Sequence, residues 1–338
     1  MRALVMEGFG PPSQAKFGEL PKPECRPDDV LVRLGAAGIN PVDWKEMAGY
    51  LADIYPPYDR HWAPGYDGAG LVEAVGSAVT DFAPGDRVVV LSDRRGGSGT
   101  LADYVRVPHT LAARAPGSIG FLEIASIPTA GITAYQGLFR EDMGAAKAGQ
   151  SVLIHGASGG IGSFAIGFAH AAGLHVAATC RAANADYVRR LGAELAVDYQ
   201  TENIVAAVRR WRRDGTDVVL DCTSGGRQAE LLDMLAPGGR LVIVATLTDD
   251  GDIARLTEQA RSRGLSVHFL VMDLSTLRDD MHGIAGLIDG GKMAMPEIAA
   301  YPLERAGEAV EAIKRGGVRG KIGVTIAELD RGRSAAAG

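Results

Sequence analysis

The chain has 338 residues, of which 46% are hydrophobic, with 41 acidic against 35 basic side chains and a net charge of −6. That length suits two domains, each with its own core, and the acidic balance excludes nucleic acid as an expected partner. Three cysteines without a CxxC pair exclude a disulfide framework and a thiolate zinc site. The start, MRALVMEGFG, holds no signal-peptide core, and no apolar run reaches the roughly 20 residues of a membrane span, so the expectation is a soluble, cytoplasmic protein.

From residue 1 to about 122, short β-branched or alternating runs at 2–6, 30–36, 70–75 and 87–90 are punctuated by GFGPP, LPKPECRPDD and APGD. They predict a small β-rich, barrel-like domain. Residues 121–140 turn helical in pattern, with a break at Pro128. The stretch SVLIHGASGGIGSFAIGFAHAAGLHVAAT at 151–179 then reads as strand, tight turn, helix and strand, a βαβ unit of the dinucleotide-binding kind. In that reading Gly156 ends the strand, Gly159 and Gly160 leave room for a pyrophosphate, and Gly162 lets the helix sit on the sheet. The helix from about Ile161 points its unpaired N–H groups at the phosphates.

Regular alternation follows. Buried strands are expected at 194–197, 218–221, 241–245 and 267–271, with helices between them that include 201–212 and 228–235. The basic run at 209–213 reads as the solvated end of a helix. With the two strands of the glycine unit this makes about six, the number of a doubly wound nucleotide-binding sheet. A helix at 275–288, a Gly-Gly break, a helix at 303–314 and a strand at 321–326 are assigned back to the first domain. The nucleotide domain, 123–272, is thus inserted in the other, 1–122 and 273–338, and the cofactor is expected in the cleft between them. The tail RGRSAAAG is expected to fray.

The second strand of the glycine unit ends at ATCR, 178–181, with no acidic residue to accept from a ribose 2′-hydroxyl. Arg181 stands there, and a guanidinium meets a 2′-phosphate, which argues for NADPH. The seven histidines are scattered and the cysteines too few for a catalytic zinc, so a developing oxyanion is left to hydrogen-bond donors.

Six motifs now converge: GINPVDWK (38–45), APGYDGAGLVEAVG (63–76), APGDRVV (83–89), GITAYQGL (131–138), HGASGGIG (155–162) and RGKIGVTI (319–326). Their order and spacing resemble medium-chain dehydrogenases/reductases, and most of all the zinc-free NADPH quinone oxidoreductases of the zeta-crystallin type. The resemblance implies an α/β protein, a Rossmann doubly wound parallel sheet inserted in a GroES-like β-barrel domain, paired as a homodimer through its last Rossmann strand near 267–271. Where zinc-using relatives carry a ligand cysteine and a His-Glu pair, this chain has Asn40 and Tyr66-Asp67. The implied cofactor contacts are Asn40 and Lys45 near the nicotinamide, Thr129 and Thr133, and Ser158, Gly159, Gly160 and Ile161 at the pyrophosphate. They continue with Arg181 and Tyr199 around the 2′-phosphate and adenine, Ala245 and Thr246, and Phe269, Leu270 and Val271, with Lys321 as a further phosphate-side or cleft contact.

The implied reaction is hydride transfer from NADPH to a quinone or to the β-carbon of an enone. Charge on the carbonyl oxygen would be met by the ribose hydroxyl, by Asn40 or by a tyrosine, and Tyr50 is the side chain chosen as proton donor. Asp43 reads as a cap or salt-bridge partner. His61 and Trp62 read as loop packing, with lining of the substrate pocket as the other option. Arg94 and Arg95 in SDRRGGSGT keep an enoyl thioester or a small unsaturated acid open as substrate. The rival of another class is an NADPH-binding sensor or structural protein without turnover.

Overall fold

The structure, a computed structural model, describes residues 1–53, 61–94, 99–223, 228–244 and 250–329. The chain opens with β1 (Arg2–Val5), β2 (Lys16–Glu19), β3 (Asp29–Ile39), α1 (Pro41–Met47), β4 (Asp67–Val75) and β5 (Arg87–Leu91). Next come β6 (Tyr104–Pro108), β7 (Ala112–Arg114), α2 (Phe121–Ala125) and α3 (Thr133–Phe139). The glycine unit is β8 (Ser151–His155), α4 (Gly160–Ala171) and β9 (His175–Cys180), followed by α5 (Ala185–Leu191), β10 (Leu195–Asp198), α6 (Ile204–Trp211) and β11 (Thr216–Asp221). Then α7 (Gln228–Leu231), β12 (Leu235–Val244), α8 (Asp250–Ser262) and β13 (Ser266–Leu270) lead to α9 (Leu277–Asp289), β14 (Ile298–Pro302), α10 (Ala306–Arg315) and β15 (Lys321–Thr325).

Two compact units result: Met1–Ala130 with Asp273–Asp289 and Glu297–Gly338, and Gly131–Met272 with Gly290–Pro296. In the first, a seven-stranded sheet runs β14-β15-β3-β4-β5-β7, with β6 also on β3. Its long strand β3 slips register against β4 between Leu31 and Val32 and again between Leu34 and Ala36. Such bulges bend a strand, which lets β3 serve β4, β6 and β15 along its length. Val30, Val32, Leu34, Val72, Val88, Val90, Val105 and Trp62 fill the interior. The first unit runs past the expected boundary at 122 because α2 packs on its sheet through glycines. A Cβ at Gly38 would lie 2.2 Å from the Ala125 carbonyl oxygen, and one at Gly323 would lie 2.6 Å from Leu122.

The second unit is a six-stranded, wholly parallel sheet in the order β10-β9-β8-β11-β12-β13. This is the doubly wound arrangement, in which the strand order reverses between β8 and β11. A central parallel strand is covered on both faces, so β8 is an unbroken buried run, SVLIH. Helix α4 is buried from Gly162 to Ala169, because its sequence is apolar on nearly every side. The basic run closes α6 with Arg209 and Arg210 in the last turn, as expected. The expected helix 228–235 is shorter, since β12 begins at Leu235 and pairs with Thr216 before the ladder resumes at Arg240. Strand β14 and helix α1 were not visible as separate elements in the hydropathy pattern. The tail expected to fray lies outside the described residues. Among the described residues no helix is long and apolar enough to cross a membrane.

Candidate functional site

In the six-stranded unit the site residues gather at the carboxyl ends of β8, β9 and β10, beside the point where the strand order reverses. The backbone turns out of β8 at Gly156, whose φ of +78° is open only to glycine at low cost. Its N–H donates to Thr179 Oγ1 at 3.1 Å, and the same oxygen bonds His155 Nδ1 at 2.8 Å. Gly159 stands at the N-cap of α4 with no side-chain cap, so the first N–H groups of the helix are turned outward for an acceptor. Asn184 Nδ2 donates to Ser158 Oγ at 3.2 Å.

The next strand ends carry the other half of this set. Cys180 and Asp198 are register partners in the parallel pair β9 and β10, so Arg181 and Tyr199 emerge side by side. Arg181 Nε donates to the Tyr199 hydroxyl at 3.0 Å. Nε is thereby held while the guanidinium fork remains at an exposed edge. Thr133, in α3, is buried. Phe269 and Leu270 close β13, and Val271 is 72% exposed. Ala245 and Thr246 lie outside the described residues.

These residues fit a dinucleotide. A Cβ at Gly159 would meet only the Gly156 carbonyl oxygen, at 3.5 Å, so the protein's own packing does not require glycine there. A Cβ at Gly162 would lie 2.6 Å from Ala157 Cα and from the Gly156 oxygen, so that glycine serves the packing of helix on loop.

In the barrel-like unit, Asn40 caps α1 and Asp43 closes the capping box, its carboxylate accepting from the Asn40 N–H at 2.6 Å. Asp43 also accepts from the Tyr66 N–H at 3.2 Å and is fully buried; burial, with Asp67 and Glu46 nearby, pushes its pKa up to about 7. Asn40 Nδ2 donates to Asp67 at 2.8 Å, and Thr129 donates to Asp67 through both its N–H, at 3.1 Å, and its hydroxyl, at 2.5 Å. Burial raises the Asp67 pKa, against the pull of the Lys321 ammonium. Lys321 Nζ donates to Asn40 Oδ1 and to the Ile39 carbonyl, and burial lowers its pKa.

Several expected residues stand differently. Lys321, expected as a phosphate-side or cleft contact, is 3% exposed and donates to Asn40 Oδ1 and the Ile39 carbonyl, which makes it an internal cation beside Asn40. Arg94 is fully buried, bonded to the equally buried Glu46, and stacked on the Trp62 and Tyr66 rings at 4.6 and 5.3 Å. It therefore reaches no substrate anion, and the thioester reading loses that support; Arg95 lies outside the described residues. Trp62 is core, fully buried and bridged to Met6. His61 is exposed. Tyr50 is 63% exposed, edge-on to Trp44 at 5.6 Å. It sits beyond the C-terminal end of α1 and Asn40 at the N-cap, about 10 Å apart along the axis, so the two catalytic candidates are not adjacent. Lys45 is half-buried on α1 between them.

Glu46, Thr179 and Asp67 were missed as members of the site. Asp67 was visible only as a departure from a ligand pattern, and no local signal marks Glu46 or Thr179.

Comparisons with known proteins agree with this architecture. A family model described as alcohol dehydrogenase GroES-like domain matches residues 26–117, and one described as zinc-binding dehydrogenase matches 191–324. The chloroplast envelope quinone oxidoreductase homolog of Arabidopsis thaliana is 31% identical over 331 residues, 95% of this chain and 97% of the relative. The NADPH-dependent alkenal/one oxidoreductase, chloroplastic, of the same plant is 34% identical over 75% of this chain and 68% of the relative. The solved quinone oxidoreductase from Coxiella burnetii superposes with a TM-score of 0.84 at 29% identity, covering 97% of this chain and 99% of that one.

The second family description implies a zinc ion, and the residues present do not fit one. At the places that match the ligand motifs, Asn40 offers a neutral amide and Asp67 a carboxylate already accepting from Asn40 and Thr129. The Lys321 ammonium beside them would repel a dication. Among the described residues no group of three or more His, Cys, Asp or Glu is placed to hold a metal.

Proposed function

Because the chain belongs to the medium-chain dehydrogenase/reductase superfamily, in its zeta-crystallin-like branch, we propose that it is a zinc-independent NADPH-dependent reductase delivering hydride to a quinone or an α,β-unsaturated carbonyl. The observation that carries the cofactor choice is the Arg181–Tyr199 pair, which holds a guanidinium fork where a 2′-phosphate would lie. Bound NADPH would supply the hydride from its nicotinamide ring. In the six-stranded unit, the N–H groups of Ser158, Gly160 and Ile161 would take the pyrophosphate, with Gly159, whose N–H is held by the Gly156 carbonyl oxygen at 3.2 Å, leaving room for it, Tyr199 the adenine side, and Thr133, Phe269, Leu270 and Val271 further contacts. In the barrel-like unit, Asn40, Lys45 and Thr129 would serve the nicotinamide end, Asn40 would donate to the oxygen on which charge develops, and the exposed Tyr50 hydroxyl, set apart from Asn40, would supply the proton at a reacting atom other than that oxygen. The names of the relatives, quinone oxidoreductase and alkenal/one oxidoreductase, support the two acceptor classes.

Strand β13 is the edge of the sheet, paired on one side only with β12 and with half-buried side chains, which suits pairing with a second copy. The free thiols Cys25, Cys180 and Cys222 suit the reducing cytoplasm.

NADPH oxidation by the purified protein, with a quinone and an enone side by side, tests the reading. Turnover with at least one is expected. Arg181→Ala should raise the KM for NADPH by about tenfold or more, some 1.4 kcal/mol, with little change for NADH, and Tyr50→Phe should lower kcat at least ~10-fold. Tight NADPH binding with no oxidation by either acceptor would replace the enzyme with a binding protein, and equal losses for both nucleotides would remove Arg181 from the 2′-phosphate.

A further inference from the structure

The buried knot around Asn40 is more specific than a cap requires. Strand β3 lies between β4 and β15, and Gly38 is register partner both to Asp67 on one side and to Gly323 on the other. Asp67 opens β4 and Lys321 opens β15, so a carboxylate and an ammonium arrive from opposite sides at the residue following β3. Both charges are at most 3% exposed, as is Asn40.

The chemistry of the two neighbours fixes the amide. An ammonium only donates, and the Asp67 carboxylate, already accepting from Thr129, only accepts. Asn40 Oδ1 must therefore face Lys321 and Nδ2 must face Asp67, as found. Turning the amide over would set NH₂ against ammonium and oxygen against carboxylate, losing two charge-assisted hydrogen bonds. Nδ2 carries two hydrogens, and Asp67 takes one.

We propose that Lys321 and Asp67 are positioning residues that lock the Asn40 carboxamide in this one orientation, so that its second Nδ2 hydrogen is the donor presented to the reacting carbonyl oxygen. The proposal rests on the reductase reading for the identity of that oxygen; the lock itself does not.

Two readouts test it. With isotope-labelled asparagine, the Asn40 side chain, assigned through its loss in Asn40→Ala, should give a pair of Nδ2–H signals displaced from those of an exposed asparagine, the one bonded to Asp67 slow to exchange with water. Lys321→Met should move them toward the positions of an exposed asparagine and speed exchange, whereas Lys321→Gln, which still offers an N–H to Oδ1, should leave them nearly in place. In turnover, Lys321→Met should lower kcat at least ~10-fold with the NADPH KM within about twofold, Lys321→Gln should recover most of the loss, and Lys321→Met/Asn40→Ala should be no slower than Asn40→Ala. Should Lys321→Met not fold, Lys321→Met/Asp67→Asn removes both charges together and the same readouts apply. Unchanged Asn40 signals in Lys321→Met, or losses that multiply in the double variant, would overturn the proposal. A protein that leaves NADPH unoxidised with both the quinone and the enone, yet whose Asn40 signals shift in Lys321→Met and stay in Lys321→Gln, would retain the lock and lose only the reductase reading.

Discussion

Two glycines of one loop carry different obligations. At Gly162 an added methyl group would sit 2.6 Å from backbone atoms of Ala157 and Gly156, which cannot move without shifting the loop off the helix. At Gly159 it would meet one oxygen at 3.5 Å, and the φ of −81° is open to any residue. Gly162→Ala should therefore cost about 1–3 kcal/mol of stability, read as a lower unfolding midpoint. Gly159→Ala should keep the wild-type midpoint and weaken NADPH binding by about tenfold, or ~1.4 kcal/mol, in a fluorescence titration. Unchanged binding in Gly159→Ala would remove the phosphate cradle from that position. The motif could be read from sequence because its geometry is local. The division of labour within it could not, since it depends on what lies across the turn.

At the scale of an element, α1 shows the same boundary between local and distant information. Asp43 was legible as a cap because Asn40 and Asp43 stand at the fixed spacing of a capping box. Arg94 was read as keeping an anionic substrate open because its partner, Glu46, is 48 residues away and only the fold joins them. The pair, stacked on Trp62 and Tyr66, pins the buried side of α1 to the loop after β5. Removing one charge strands the other, which costs about 3–5 kcal/mol for a buried pair, whereas removing both costs far less than the sum. Arg94→Met should thus lower the urea midpoint sharply, and Arg94→Met/Glu46→Met should restore much of it. Additive losses in the double variant would show that the two side chains are not paired. Strand β12 marks another limit of the pattern: Pro237 and the two glycines after it look like a turn, yet the ladder to β11 tolerates them by a register shift.

For the whole molecule, the order of motifs along the chain was enough to read both folds, because parallel strands buried on two faces and glycine turns leave continuous local signatures. The buried charge around α1 left none, and it governs how stability responds to pH. Asp43, Glu46 and Asp67 all have folded pKa values raised by burial, that of Asp43 to about 7. In the unfolded chain they titrate near 4. Between these limits the folded protein binds more protons than the unfolded one, so stability falls as pH rises through the window, by up to ~1.4 kcal/mol per pH unit for each titrating group. Surface carboxylates such as Asp142 beside Arg140 and Glu308 beside Arg305 have lowered values, so their contribution is present above about pH 4 and lost only below it. Urea unfolding at a series of pH values from about 5 to 8 should show the wild type losing stability with rising pH relative to Asp43→Asn, whose side chain cannot ionise. The absolute stability of the variant does not matter to this comparison, only the difference in slope. Parallel profiles for the two proteins would mean that Asp43 does not titrate in that range, and the buried cluster would then have to keep its charge by closer pairing with Arg94 and Lys321 than burial alone suggests.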